Sequence, residues 1–158
     1  MAMRWKDIGR GAAAGVVATL AHTAVMGIAK KRGALGEPPP RKITRAALES
    51  AAPAALAHEP ALSLATFLSH FGFGAVTGAL YAAMNPRPAS VTVLSGMRFG
   101  TMVWTTSYAG WVPALGIMPM PQNDRRGRPT AMIAAHLAFG AALAMTLRKL
   151  RDGAAPEA

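Results

Sequence analysis

Residues 11–29 read GAAAGVVATLAHTAVMGIA, nineteen residues without a charged side chain, and Lys30, Lys31 and Arg32 follow at once. About 20 apolar residues in a row are the length that a helix needs to cross the hydrocarbon core of a bilayer. Three consecutive cations at the end of such a block are typical of a retained membrane anchor rather than a cleaved signal peptide. We therefore predict a first membrane-spanning helix over residues 9–29.

Similar blocks recur along the rest of the chain. Residues 61–85 and 129–147 also lack Asp, Glu, Lys and Arg, whereas residues 90–112 contain one charge, Arg98. Charged residues make up 15% of the 158 residues and mean hydropathy is +0.26. A soluble domain has roughly 25% charged residues, spread at close spacing. The pattern predicts an all-α, polytopic membrane protein, a four-transmembrane-helix bundle that forms a single domain over residues 1–151.

The remaining segments are polar. Residues 33–60 are expected to form an extramembrane loop with a short amphipathic helix, with Pro38–Pro40 extended and Thr44 as the helix N-cap. Residues 152–158 are expected to be a disordered tail.

Net charge is +10, but the basic residues flank the apolar blocks instead of forming a stripe with interleaved aromatic residues. This placement favours contact with lipid headgroups and predicts no nucleic-acid partner. The chain has no cysteine, which excludes disulfides, thiolate metal sites and cysteine nucleophiles. Because the spans contain no carboxylate pair and the chain no catalytic motif, we expect neither an enzyme nor a cofactor.

Three histidines fall at similar depth when residues are counted along the blocks. His22, His70 and His136 each lie about 10–14 Å from the face that bears the polar loops, at 1.5 Å per residue. The third block offers possible hydrogen-bond partners at that depth, namely Trp104, Thr105, Ser107 and Tyr108. Ionisable groups inside a membrane commonly mark function. Three interpretations stay open: imidazoles that hold the bundle together by hydrogen bonds, which we favour, a proton or ion path, and a haem or metal site.

Other residues suggest packing or lipid contact. Arg98 is predicted to snorkel to the interface with its stem in the apolar layer; the alternative is that it binds an anionic headgroup or substrate. Small residues at four-residue spacing let helix backbones approach closely, either within the bundle or in a dimer. The predicted packing glycines are Gly11, Gly15, Gly74, Gly78, Gly96, Gly100 and Gly140.

Several motifs together resemble the YagU-like family of bacterial inner-membrane proteins, which has no assigned function. They are PPPRKIT (38–44), HFGFG (70–74), GALY (78–81), WTTSYAGWVPALG (104–116) and AAHLAFG (134–140). The resemblance implies a multi-pass protein of the bacterial inner (cytoplasmic) membrane and no known reaction.

From sequence we thus expect a small integral membrane protein in a structural or accessory role. Its expected partners are the lipid bilayer and a larger membrane complex or further copies of itself. A transporter- or channel-like protein that uses the histidine layer and Arg98 is the first alternative, and a haem- or metal-binding membrane module is the second.

Overall fold

A computed structural model describes residues 5–54 and 58–153, and within these ranges it contains helices and no strands. The all-α prediction is therefore confirmed for this part of the chain. Most of the predicted tail, residues 154–158, lies outside the described residues, whereas Asp152 still belongs to the last helix.

Three long helices match three of the predicted spans: α1 (Trp5–Lys31), α3 (Glu59–Met84) and α5 (Arg128–Asp152). They contain 27, 26 and 25 residues. At 1.5 Å per residue each is close to 40 Å long, more than the roughly 30 Å of a hydrocarbon core. By length and composition, these three helices can cross a membrane.

The segment predicted as a span over residues 90–112 is not one regular helix. A 3₁₀ turn covers Pro88–Ser90, α4 covers Val93–Thr106, and a π-helical turn (Ser107–Trp111) leads into a last turn, Val112–Ala114. The N–H of Val112 bonds to the carbonyl of Ser107, five residues back. Two residues explain the wider turn. Gly110 tolerates a non-helical backbone, and Pro113 has no N–H to offer the carbonyl four residues before it.

The predicted loop helix exists as α2 (Pro39–Ala51), but it begins earlier than expected. Pro38 is extended, as predicted, and is the N-cap residue, but the predictions that Pro39 and Pro40 are extended and that Thr44 caps the helix are wrong. Pro39 and Pro40 occupy the first turn, where the missing N–H has no helical partner to lose. Thr44 lies inside the helix, and its buried side chain contacts the hydroxyl of Ser69 on α3 at 2.8 Å.

The helices pack in the order α3, α1, α5, α4, and each is antiparallel to its neighbour. One end of the bundle, here called the turn end, carries the connection from α3 to α4. There α4 meets α3 through Phe99 and Tyr81, whose ring centroids are 5.1 Å apart. The opposite end, the loop end, carries α2 and residues 115–127. α2 packs against α3 at this end.

Each end of the bundle has its own apolar core. The turn-end core contains Tyr81, Phe99, Phe139, Leu143 and Leu147, among others. The loop-end core is built on Met26, Leu35, Tyr108, Val112 and Met132. The histidines lie between the two.

Candidate functional site

Three helices bring the predicted histidines together. The ring of His22 on α1 lies 4.7 Å from the ring of His136 on α5 and 5.3 Å from that of His70 on α3, measured between centroids. Close glycine contacts fix α1 against α3 and α4 against α5. The three-residue cluster occupies the middle of the bundle, at the depth expected from sequence.

The imidazoles differ in their hydrogen bonds. Nδ1 of His136 lies 2.8 Å from the carbonyl of Met132, one turn earlier in α5. Because a carbonyl only accepts, this nitrogen carries the proton, and Nε2 is left as an acceptor. Nε2 of His70 pairs with the hydroxyl of Thr23 at 3.2 Å. His22 is 5% exposed, and neither of its ring nitrogens has a hydrogen-bond partner among the described residues.

A cavity of about 240 Å³ opens beside the cluster. All five helices contribute to its wall. Its lining residues are Thr19, His22, Pro39, Pro40, Ile43, Ser69, His70, Phe73, Gly74, Val103, Ser107, Tyr108, Trp111, Val112, Met118, Met132, His136 and Phe139. Most of this surface is apolar, and the first turn of α2 contributes Pro39 and Pro40 to it.

Of the four side chains predicted to face the histidines from residues 90–112, two line the cavity and two do not. Ser107 and Tyr108 line the cavity. Trp104 packs in the loop-end core and stacks on Tyr108 at 5.9 Å, but does not line the cavity. Thr105 does not join the layer: it is exposed and bonds back to Thr101 of its own helix. Adjacent helix residues point about 100° apart, so four nearly consecutive side chains cannot share one face.

The predicted packing glycines lie at contacts within the chain. A Cβ on Gly15 of α1 would come within 2.0 Å of the carbonyl oxygen of Gly74 on α3, and one on Gly11 would lie 2.6 Å from the carbonyl oxygen of Gly78. Gly96 of α4 opposes Gly140 of α5 in the same way. Gly100 approaches the carbonyl of His136. These glycines therefore bring helices of one chain together and are not free to form a dimer face.

Arg98 lies in the second turn of α4 and is exposed, while its neighbours Phe99 and Gly100 are buried. This outward position fits both snorkelling and contact with an anionic headgroup, which stay predictions.

The sequence analysis missed a buried ion pair at the loop end. Arg128 donates to Asp124 at 2.8 Å and, through two guanidinium nitrogens, to the carbonyl of Leu35. The side chains of Arg128 and Asp124 are only 7% and 2% exposed. The hydroxyl of Tyr108 donates to the other oxygen of Asp124. This network ties the segment after α1, the segment after α4 and the start of α5 to the cavity wall.

The histidines do not form a ligand set for a metal ion. Within the described ranges, no three His, Asp or Glu side chains are arranged to hold one. The metal interpretation therefore gains no support from this arrangement, and the haem interpretation stays a prediction.

Fold and site together define a class: an all-helical protein with three helices able to cross a membrane and a cavity between them. The chain belongs to a family of unknown function, DUF6789, whose model matches residues 5–157. The comparison finds this family and not the YagU-like one. No curated protein and no solved structure matches the chain.

Proposed function

We propose that this protein crosses a bacterial cytoplasmic membrane four times and binds a small, largely apolar molecule in its central cavity. The fourth crossing is the segment Val93–Ala114. It has 22 residues, so even with its π-helical turn it extends for about 30 Å, enough to cross a hydrocarbon core. α4 also packs along α5, one of the three long apolar helices.

Single-cysteine labelling tests the topology, because the native chain has no cysteine to give a background. Arg87→Cys lies in the turn between α3 and α4, and Gln122→Cys lies between α4 and α5. In sealed vesicles, a membrane-impermeant maleimide should reach only one of the two before lysis and both afterwards. Labelling of both sites, or of neither, from one side would rule out the fourth crossing.

The binding proposal rests on one observation: a buried, unpartnered imidazole, His22, in the wall of an apolar cavity. Leaving a buried polar group without a partner costs about 1–3 kcal/mol. The two nitrogens of His22 have almost no accessible surface, so the ring must turn toward the cavity to bond a molecule there, and such a bond removes that cost. Since an engineered cavity of 150 Å³ holds benzene, a cavity of about 240 Å³ has room for about ten non-hydrogen atoms.

Binding accounts for the geometry better than conduction does. The turn-end core closes the bundle on one side of the cavity, and Leu143 and Leu147 there are completely buried. A channel needs a continuous polar path, and this core interrupts it. Transport would require α4 to separate from α3 at Tyr81 and Phe99, and no described feature favours such a movement.

The test measures the uptake of propylbenzene by the protein in nanodiscs, with and without a substitution that fills the cavity. Wild-type nanodiscs should take up propylbenzene saturably, in excess of empty nanodiscs. Ser107→Phe places a ring in the cavity and should abolish the excess. Thr105→Phe is the matched control, since Thr105 is two residues away and exposed. Equal uptake by both variants, or no saturable uptake by the wild type, would refute the proposal.

The accessory role expected from sequence is a second candidate, favoured by the apolar outer surface. Val76, Leu64 and Phe67 on α3 are 68%, 59% and 55% exposed. Lipid or a neighbouring protein can cover them. Native mass spectrometry after gentle detergent extraction would reveal a stable larger complex if the role is accessory. Within this proposal, the motifs shared with YagU-like proteins indicate a distant relation between the two families.

A further inference from the structure

We infer that the molecule bound in this cavity is uncharged and carries a hydroxyl group, as an alcohol or a phenol does. This inference rests on the binding function proposed above. It follows from the donors and acceptors that the cavity leaves unpaired.

Most donors in the cavity wall are already in use. The hydroxyl of Thr19 donates to the carbonyl of Gly15, and that of Ser107 donates to the carbonyl of Val103. The hydroxyl of Tyr108 is bound to Asp124. These oxygens can still accept hydrogen bonds, but their protons are committed.

His22 and His136 leave both acceptors and a donor unpaired. His136 offers Nε2 as an acceptor because its Nδ1 proton is held by Met132. A neutral His22 offers one acceptor and one donor, and neither has a partner among the described residues. A hydroxyl group both donates and accepts, so it can donate to Nε2 of His136 and, once the ring of His22 turns toward the cavity, accept from the N–H of His22. A ketone or an ether can meet only the N–H.

The charge of the cavity wall further narrows the chemical class of the bound molecule. No Asp, Glu, Lys or Arg is among the described residues that line the cavity. A carboxylate or an ammonium ion placed there would lose its hydration without gaining an opposite charge, which is costly. An uncharged molecule avoids this cost, and Phe73, Val103, Val112, Met132 and Phe139 surround its apolar body.

Three matched probes test the inference in the same nanodiscs: 4-propylphenol, its isomeric ether 4-ethylanisole, which has the same number of non-hydrogen atoms, and propylbenzene. Each affinity is corrected for partition into empty nanodiscs. We expect 4-propylphenol to bind about five- to tenfold more tightly than the ether, the effect of one or two hydrogen bonds. Equal corrected affinities for the phenol and the ether would overturn the inference. Failure of all three probes to bind saturably would overturn the proposed function as well, so the two failures are distinguishable.

Substitutions test which residues cause the preference for the phenol over the ether. His22→Phe keeps an aromatic ring and removes both nitrogens, and it should lower the phenol-to-ether ratio by about fivefold. His58→Phe is the matched control, because His58 is exposed and lies outside the cavity. If His22→Phe fails to fold, His136→Phe removes the other acceptor and should also lower the ratio. A ratio unchanged in a folded variant of either cavity histidine would overturn the assignment to this cluster.

Discussion

Replacing Gly15 by alanine should separate α1 from α3. The added Cβ would lie 2.0 Å from the carbonyl oxygen of Gly74, against 3.4 Å for an ordinary van der Waals contact. The backbones must therefore move apart locally by about 1.4 Å, and a gap of 0.5–1 Å already forfeits a quarter to a half of a dispersion contact. An alanine Cβ has no rotamer to change and the atoms that it meets are backbone, so no side-chain rotation relieves the clash. We expect a loss of about 2–3 kcal/mol in the free energy of unfolding.

Equilibrium unfolding in mixed micelles with increasing SDS measures this loss. Gly27→Ala is the control, because Gly27 lies in the same helix and a Cβ there meets nothing within 4 Å. Alanine favours a helix over glycine, so Gly27→Ala should be at least as stable as the wild type. Wild-type stability in Gly15→Ala, or equal destabilisation of both variants, would refute the close contact between α1 and α3.

Three further substitutions test other parts of the bundle by the same unfolding measurement. Asp124→Asn removes the charge from a buried ion pair and should cost about 3 kcal/mol of unfolding free energy. Its control, Asp152→Asn, lies in an exposed pair and should cost less than about 1 kcal/mol, so similar losses in the two variants would contradict the burial of the first pair. Gly140→Ala should cost about 1–3 kcal/mol because its Cβ would lie 2.0 Å from a carbonyl of α4, whereas Gly72→Ala, in open space, should be neutral; the reverse order would rule out this packing. Arg98→Leu should change stability by less than about 0.5 kcal/mol because its side chain is exposed, and a larger loss would mean that the arginine is bound within the bundle.

The sequence predicted the parts of the fold that depend on hydropathy and length. Charge-free blocks of about 20 residues indicated α1, α3 and α5, since a span must be apolar throughout its length. Counting residues along those blocks also placed three histidines at one depth, because helical rise is constant.

Other features depend on the direction of side chains or on contacts between distant residues. Residues two apart on a helix point about 200° apart, so Ser107 lines the cavity and Thr105 does not, but the sequence did not show which of the two faces inward. Asp124 and Arg128 stand in a polar run that is typical of a solvated loop. Their burial arises from Leu35, 93 residues from Arg128, whose carbonyl the arginine binds. No local sequence pattern indicates a hydrogen-bond partner so far away in the chain.

The packing of α1 between α3 and α5 has a consequence for how the protein is made. α5 begins 97 residues after the end of α1, an interval of about 5–20 s of synthesis at 5–20 residues per second. During that time, the face of α1 that carries His22 lacks its final neighbour. The cavity is thus completed only when the last helix enters the membrane, and until then His22 is exposed to whatever surrounds the nascent chain at the insertion site.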